Sequence, residues 1–238
     1  MLFSCRGIVF RNQKYKDSSV LLDIYTDTHG LLTFIAHGVR KAKARTSPSS
    51  VQLMSIVELS GYYKPGRSIQ KVKEIKPHYV YKALPFDVLK SAVGTFITEV
   101  SRKCIKEESA NEELFSFLSK IFKQLDELEE GLSVFHLNFL VELGHYLGIL
   151  PYLELSTIKE GYLDMLDGVL VDLPPFHGNY LDAADSQLFQ RGLGGVPHGE
   201  WPAAQRRAFI QLMLKYYSIH IPNMGKINSH VILETILT

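Results

Sequence analysis

The sequence predicts an α+β protein: a small closed five-stranded β-barrel at the N-terminus, then a mainly helical domain with a small hairpin insertion. Three observations predict this. Residues 1–80 hold five short segments rich in β-branched and aromatic residues, separated by turn signals. After Pro77 the apolar residues recur at three- and four-residue spacing. Charge also divides there: residues 1–80 carry 13 Lys/Arg against 5 Asp/Glu, a balance of +8, and residues 81–238 carry 13 against 20, a balance of −7.

The strand segments are 3–10 (FSCRGIVF), 19–26 (SVLLDIYT), 31–37 (LLTFIAH), 51–63 (VQLMSIVELSGYY) and 68–76 (SIQKVKEIK). Partial alternation is clearest in the last of them. Thr28-His29-Gly30 and Lys64-Pro65-Gly66-Arg67 supply turns. Five strands in so short a stretch suit a closed barrel, because closure removes exposed edges. The five-stranded OB-fold is the leading candidate and an SH3-like barrel the alternative. Between the third and fourth strands, residues 38–50 (GVRKAKARTSPSS) place four cations in six positions and offer no apolar period, which predicts a loop.

Three helical stripes follow. They are Leu89, Ala92, Val93, Phe96, Ile97, Val100, Cys104; then Leu114, Phe117, Leu118, Ile121, Phe122, Leu125; then Phe135, Phe139, Leu140, Leu143, Leu147. A last helix opens at Pro202, which suits a first turn, and runs through Phe209, Ile210, Met213, Leu214 and Tyr217. Residues 151–200 read as irregular apart from a hairpin over 161–172 turning at Asp167-Gly168. The expected domains are therefore a basic barrel, 1–80, and an acidic helical domain, 81–238.

Several function classes are disfavoured. No run approaches the roughly 18 apolar residues of a membrane span. The first residues lack the charged, apolar and small-residue regions of an export signal, so cytoplasm is the expected compartment. Cys5 and Cys104 are expected to be reduced structural thiols. The nine histidines are scattered without metal-ligand spacing, so no metal or other cofactor is expected. Gly192-Leu193-Gly194-Gly195 lacks a preceding strand and a phosphate-binding ending and reads as a loop. Pairs such as Asp164/Asp167 and Glu129/Glu130 read as solvated acids, and no nucleophile elbow is present. No catalytic site and no small-molecule substrate are expected.

The strongest signal is cationic. Arg40, Lys41, Lys43 and Arg45 lie in the loop, and Arg6, Arg11, Lys14, Lys16, Lys64, Arg67, Lys71 and Lys73 lie on strands or turns of the same small domain. Cations at this density bind phosphates by releasing condensed counterions, without reading sequence. Phe10, Tyr15, Tyr62 and Tyr63 interleave with them. Tyr15 and Tyr62 are the candidates to stack on unpaired bases, while Phe10 suits the core.

The chain resembles the bacterial recombination mediator RecO family, also called DNA repair protein RecO. The resemblance runs through Gly7-Ile8-Val9, Asp17-Ser18, Tyr25-Thr26 and Gly30, is densest at Gly38-Val39-Arg40-Lys41, and resumes at residues 143–151 (LGHYLGILP). It closes with Tyr216-Tyr217, His220 and Ser229. It implies an OB-fold joined to a helical domain, binding of single- and double-stranded DNA, and annealing of complementary strands in the bacterial cytoplasm, at the nucleoid. It also implies work with RecR, in some cases RecF, and with single-stranded-DNA-binding protein, to load the recombinase on coated strands. Many members carry a four-cysteine zinc site between the helices. This chain has no cysteine there, so no zinc is expected.

The acidic, hydrophobic-ended tail of the family's single-strand-binding partner would need an apolar groove edged by cations. Two places combine these: Arg102, Lys103 and Lys106 at the end of the first helix, the preferred site, and Arg206 and Arg207 beside Phe209, Ile210 and Leu214 on the last. The rival readings are an OB-fold RNA chaperone or translation accessory protein, and a nuclease.

Overall fold

The computed structural model describes residues 2–15, 18–39, 46–106, 109–153 and 160–237. The chain forms two compact units, Met1–Glu127 and Leu128–Thr238. Divided there, the first carries 20 Lys/Arg against 13 Asp/Glu and the second 6 against 12, so the acid excess belongs to the second unit.

In the first unit β1 (Leu2–Tyr15), β2 (Ser19–Thr26), β3 (Gly30–Ala36), β4 (Ile56–Tyr62) and β5 (Ile69–Pro77) close into a barrel in the order β1-β2-β3-β5-β4. Every pairing is antiparallel except β3 with β5. This is the OB-fold layout. Val9, Leu22, Ile24, Phe34, Val57, Leu59 and Ile75 fill the interior. Gly7 is required there, since a Cβ would lie 2.4 Å from Ile24 Cγ2.

β4 begins later than the apolar run suggests. Ser47 caps a single 3-10 turn, Pro48–Val51, by accepting from Ser50 N. Met54 then turns through φ 71° before Ile56 enters the sheet. Val51 and Met54 are still buried, so hydrophobicity was read correctly and backbone geometry was not.

β2 is buried on nearly both faces because helices cover its outer side. These are α1 (Val88–Cys104) and α2 (Glu112–Glu127), both within the first unit. A register shift at Phe10 lets it join Ile8 and Val9 among the buried residues. Its ring stacks on Tyr25 at 5.8 Å, and Tyr25 meets Phe115 of α2 at 6.3 Å. Asp87 caps α1 by accepting from Leu89 N and Lys90 N.

The second unit holds α3 (Leu132–Tyr146), a small sheet, α4 (Ala183–Leu193), α5 (Ala203–His220) and α6 (Ser229–Ile236). The sheet is the expected hairpin, β6 (Tyr162–Asp164) with β7 (Val169–Val171), plus a third strand, β8 (Tyr180–Leu181), beside β6. Gly168 turns it at φ 68°. Within the stretch read as irregular, α4 is a regular helix. Its cap is Asp182, and its short stripe runs into the glycines that suggested a loop. Gly192 belongs to the last turn of α4, where its bare Cα admits Phe209: an added Cβ would lie 2.1 Å from the ring. Phe189 meets Tyr216 at 5.4 Å and Phe209 at 6.2 Å, so aromatic packing rather than helix propensity orders this region. α5 starts just after Pro202, as expected, but α6 follows it, so α5 is not the last helix.

Candidate nucleic-acid interface

One transverse row crosses the barrel. Gln13 pairs with Leu21, Leu21 with Ile35, Ile35 with Lys71, Lys71 with Tyr62, and Tyr62 with Leu2. Side chains directly opposite share a face of the sheet. All six are exposed or half-buried, and Leu2 and Tyr62 keep 58% and 51% of their surface in solvent. The same register places the β1–β2 turn and the segment after β3 at one end of the barrel and, because β5 runs parallel to β3, the β4–β5 turn at the other, beside the β2–β3 turn. The β1–β2 turn lies beyond Tyr15↔Ser19, the segment after β3 lies beyond Val20↔Ala36, and the β4–β5 turn lies beyond Tyr62↔Lys71. A hydrogen bond between Ser19 Oγ and His37 Nδ1, 3.0 Å, ties the first two.

The β4–β5 turn is built around Gln70, which is 2% exposed. Its Oε1 accepts from Lys64 N at 2.9 Å, and its Nε2 donates to Lys64 O at 3.0 Å and Arg67 O at 2.9 Å. One buried amide thus fixes the turn that presents Lys64 and Arg67 to solvent. Sequence reading missed Gln70, because a polar residue beside Ile69 looks outward-facing; here Gln70 points in and Ile69 is 42% exposed. Lys71 and Lys73 are both exposed, and the register shifts on β5 between Val72 and Glu74, leaving Lys73 as the extra residue. Gly61 allows the close crossing, since a Cβ there would lie 2.4 Å from Lys71 O.

Lys14 and Tyr15 are exposed at the tip of β1, Tyr15 by 39%. Tyr63 instead packs half-buried against the core, 4.5 Å from the His29 ring. Lys16, Arg40, Lys41, Lys43 and Arg45 lie outside the described residues. The segment that carries the last four leaves from Val39, in the barrel core, and the chain is next described at Thr46, whose hydroxyl accepts from Ile75 N.

Arg11, Arg102 and Arg6, all predicted site cations, have internal carboxylate partners. Arg11 donates to both oxygens of Asp23, at 2.6 and 2.8 Å, and to Gln13. Arg102 of α1 donates to the same Asp23 at 2.8 Å. Burial alone would raise the Asp23 carboxyl, but the hydrogen bonds from Arg11, Arg102 and Thr33 hold it below the ordinary carboxylate range. Arg6 pairs with Asp27 at 2.9 Å and lies over the Phe115 ring.

Of the other helix cations, Lys103 pairs with Glu99 at 2.8 Å and Lys106 is exposed. Arg206 donates to Trp201 O and Leu237 O, while Arg207 is exposed and lines a small pocket with Ile210, Leu233 and Leu237.

Cys5 and Cys104 are free and buried, and burial pushes both thiols up to about 12, so neither is a thiolate at neutral pH. Among the described residues no three His, Cys, Asp or Glu side chains are grouped to hold a metal ion. Also among the described residues, no helix is long and apolar enough to cross a membrane.

Residues 1–81 match the family described as Recombination protein O N terminal, and residues 85–158 match Recombination protein O C terminal. The chain is 30% identical to the DNA repair protein RecO of Phocaeicola vulgatus, over 100% of both chains. It is 28% identical to the DNA repair proteins RecO of Azobacteroides pseudotrichonymphae and Bacteroides fragilis, over 99% and 98% of each chain respectively. With its five-stranded OB-fold barrel followed by helices, the chain belongs to the RecO family of DNA repair and recombination proteins.

Proposed function

We propose that this protein binds single- and double-stranded DNA across its barrel, anneals complementary strands and helps load the recombinase on coated single strands. One observation carries the reading: the row Gln13-Leu21-Ile35-Lys71-Tyr62 runs across the barrel from Lys14 and Tyr15 at the β1–β2 turn to Lys64 and Arg67 at the β4–β5 turn. Those turns are the oligonucleotide-binding loops of OB-folds. Arg40, Lys41, Lys43 and Arg45, which follow Val39 in sequence, complete the cation set of the proposed interface.

The mechanism follows from charge and needs no covalent chemistry, hence no catalytic residue or cofactor. Complementary strands repel each other through their phosphates. A cationic face that neutralises both backbones releases their counterions and lowers that repulsion. Base pairing then supplies the driving force. An outward Tyr62 ring between Leu2 and Lys71 suits stacking on a base whose phosphate meets the lysine.

The partners in this reading are RecR, in some cases RecF, and the acidic tail of single-stranded-DNA-binding protein, in the cytoplasm at the nucleoid. For that tail we favour the α5 cluster. The Arg207 side of the pocket combines an exposed guanidinium with Ile210, Leu233 and Leu237, whereas Arg102 and Lys103 are engaged by Asp23 and Glu99. The test is annealing of complementary DNA strands coated with single-strand-binding protein, with and without RecR. Accelerated annealing supports the reading. Preference for RNA strands would favour the chaperone alternative, and magnesium-dependent cleavage would favour a nuclease.

A further inference from the structure

A second cationic feature of the first unit lies beside the barrel, in a cleft of about 420 Å³ where α2 faces β1. Its lining includes Arg6, Ser116, Ser119, Lys120, Lys123 and Gln124. Phe115 forms the floor and is 2% exposed, so the cleft offers no apolar pocket of its own. Two of the cations rest on aromatic faces. Arg6 lies 5.5 Å over Phe115, and the Lys123 ammonium lies 5.3 Å over Tyr79. Tyr79 is in turn fixed by its hydroxyl to Asp126 and Glu127. Asp27 pairs with Arg6, and Glu127 at the rim is engaged by Tyr79. Among the described residues Lys120 and Lys123 have no carboxylate within ion-pair distance.

The cleft is continuous with the stacking face. Along the first pleats of β1 the exposed residues are Leu2, Ser4 and Arg6, alternating with half-buried Phe3 and buried Cys5. Leu2 is opposite Tyr62, and Arg6 opens the cleft. At roughly 3.3 Å per residue the row from Leu2 to Arg6 spans about 13 Å. Glu58 is the acid opposite Arg6, and His78 Nδ1 lies 2.9 Å from it. Lys120 and Lys123 are one turn apart on α2, with Cβ atoms about 5–6 Å apart at such spacing. Two ammonium groups with serine hydroxyls and a glutamine amide form a donor set for phosphate oxygens.

We propose that this cleft is a phosphate subsite that extends the path of a single DNA strand, from the Tyr62 end of the barrel along Leu2, Ser4 and Arg6 onto Lys120 and Lys123 of α2. The inference rests on the single-strand binding proposed above. A polar, open cleft favours a nucleic-acid backbone over an acidic peptide with apolar side chains.

The test is fluorescence anisotropy of the full-length protein with oligothymidylates of about 4 to about 16 nucleotides, the range of OB-fold site sizes. For the longest oligomer, Lys120→Gln with Lys123→Gln should lower the slope of log affinity against log salt by about 1.4, from about 0.7 per contact. The shortest oligomers should bind both proteins alike. Because Lys123 packs on Tyr79, Lys120→Gln alone, at an exposed position, should give about half the change with unaltered melting. An unchanged slope at every length, while Lys71→Gln weakens binding, overturns the subsite alone. So would loss of polyglutamate binding with DNA binding intact. If the wild-type protein binds no oligothymidylate at all, the broader reading fails and the subsite with it.

Discussion

Arg102, in the last turn of α1, donates through Nε to Asp23 Oδ2 on β2 at 2.8 Å, joining two residues 79 positions apart. Asp23 also holds Arg11 across the β1–β2 pair and accepts from Thr33 of β3 at 2.9 Å. This carboxylate therefore binds three barrel strands and a covering helix together. Its side chain is 8% exposed, while the two arginine side chains keep about a third of their surface in water.

Asp23→Asn should destabilise the first unit by about 3 kcal/mol at pH 7, the low end for breaking a buried pair, because both arginines can be rehydrated. The folded Asp23 carboxyl titrates below its ordinary 3.8. Its stabilisation is thus complete above that value and is lost as pH falls through the lower, folded value. Urea unfolding at pH 7 and near pH 3 checks this: the gap between wild type and variant should shrink at the acid end.

Asp126, near the C-terminus of α2, accepts from the backbone N–H groups of Lys82, Ala83 and Leu84 at 2.7–3.1 Å. Burial opposes its ionisation, yet these donors and the Tyr79 hydroxyl hold it below the ordinary carboxylate range. Asp126→Ala orphans three backbone donors at about 1–3 kcal/mol each before water compensates. We expect a net loss of about 3 kcal/mol. Faster proteolysis within residues 79–87, followed by mass spectrometry, should report it.

Tyr62→Ala should cost about 1–3 kcal/mol of single-strand affinity, the worth of one stacked base. Tyr62→Phe should retain most of it, because the ring does the stacking. Duplex affinity should change little in either variant. Equal losses on single strands and duplex would assign Tyr62 to the fold instead.

Replacing Arg40, Lys41, Lys43 and Arg45 by alanine should weaken DNA binding similarly for all sequences. The single-strand salt slope should fall by about 3 if all four cations meet phosphate. Titrations at several salt concentrations decide this, and an unchanged slope removes the segment from the interface.

The purified protein should contain no stoichiometric zinc, and a chelator should leave its melting temperature unchanged. Elemental analysis finding about one zinc per chain would refute this expectation.

Much of the fold was legible in local pattern. Turn residues at Gly30 and at Pro65-Gly66 bracket strands where the structure has them, and the stripes ending at Cys104, Leu125 and Leu147 mark three helices. The misses have physical causes. Val51–Met54 is apolar without being strand, since a Pro48 turn and a left-handed Met54 intervene. α4 hides because Gly192, a helix breaker by propensity, is needed where Phe209 packs against it.

For the interface, the sequence by itself determined the inventory: a cation-rich N-terminal stretch with interleaved tyrosines, and a barrel to carry them. Tertiary structure decided which members act together. Arg11 and Arg102 look like surface cations until Asp23 is brought to them from 12 and 79 positions away. Tyr62 and Tyr63 are told apart only by which face of the barrel each meets. Gln70 looks like a surface residue until the closed sheet turns it inward beneath the β4–β5 turn. Local periodicity records what each residue prefers, whereas register and barrel closure set its neighbours, and neighbours decide whether a charge is neutralised or left to meet a phosphate.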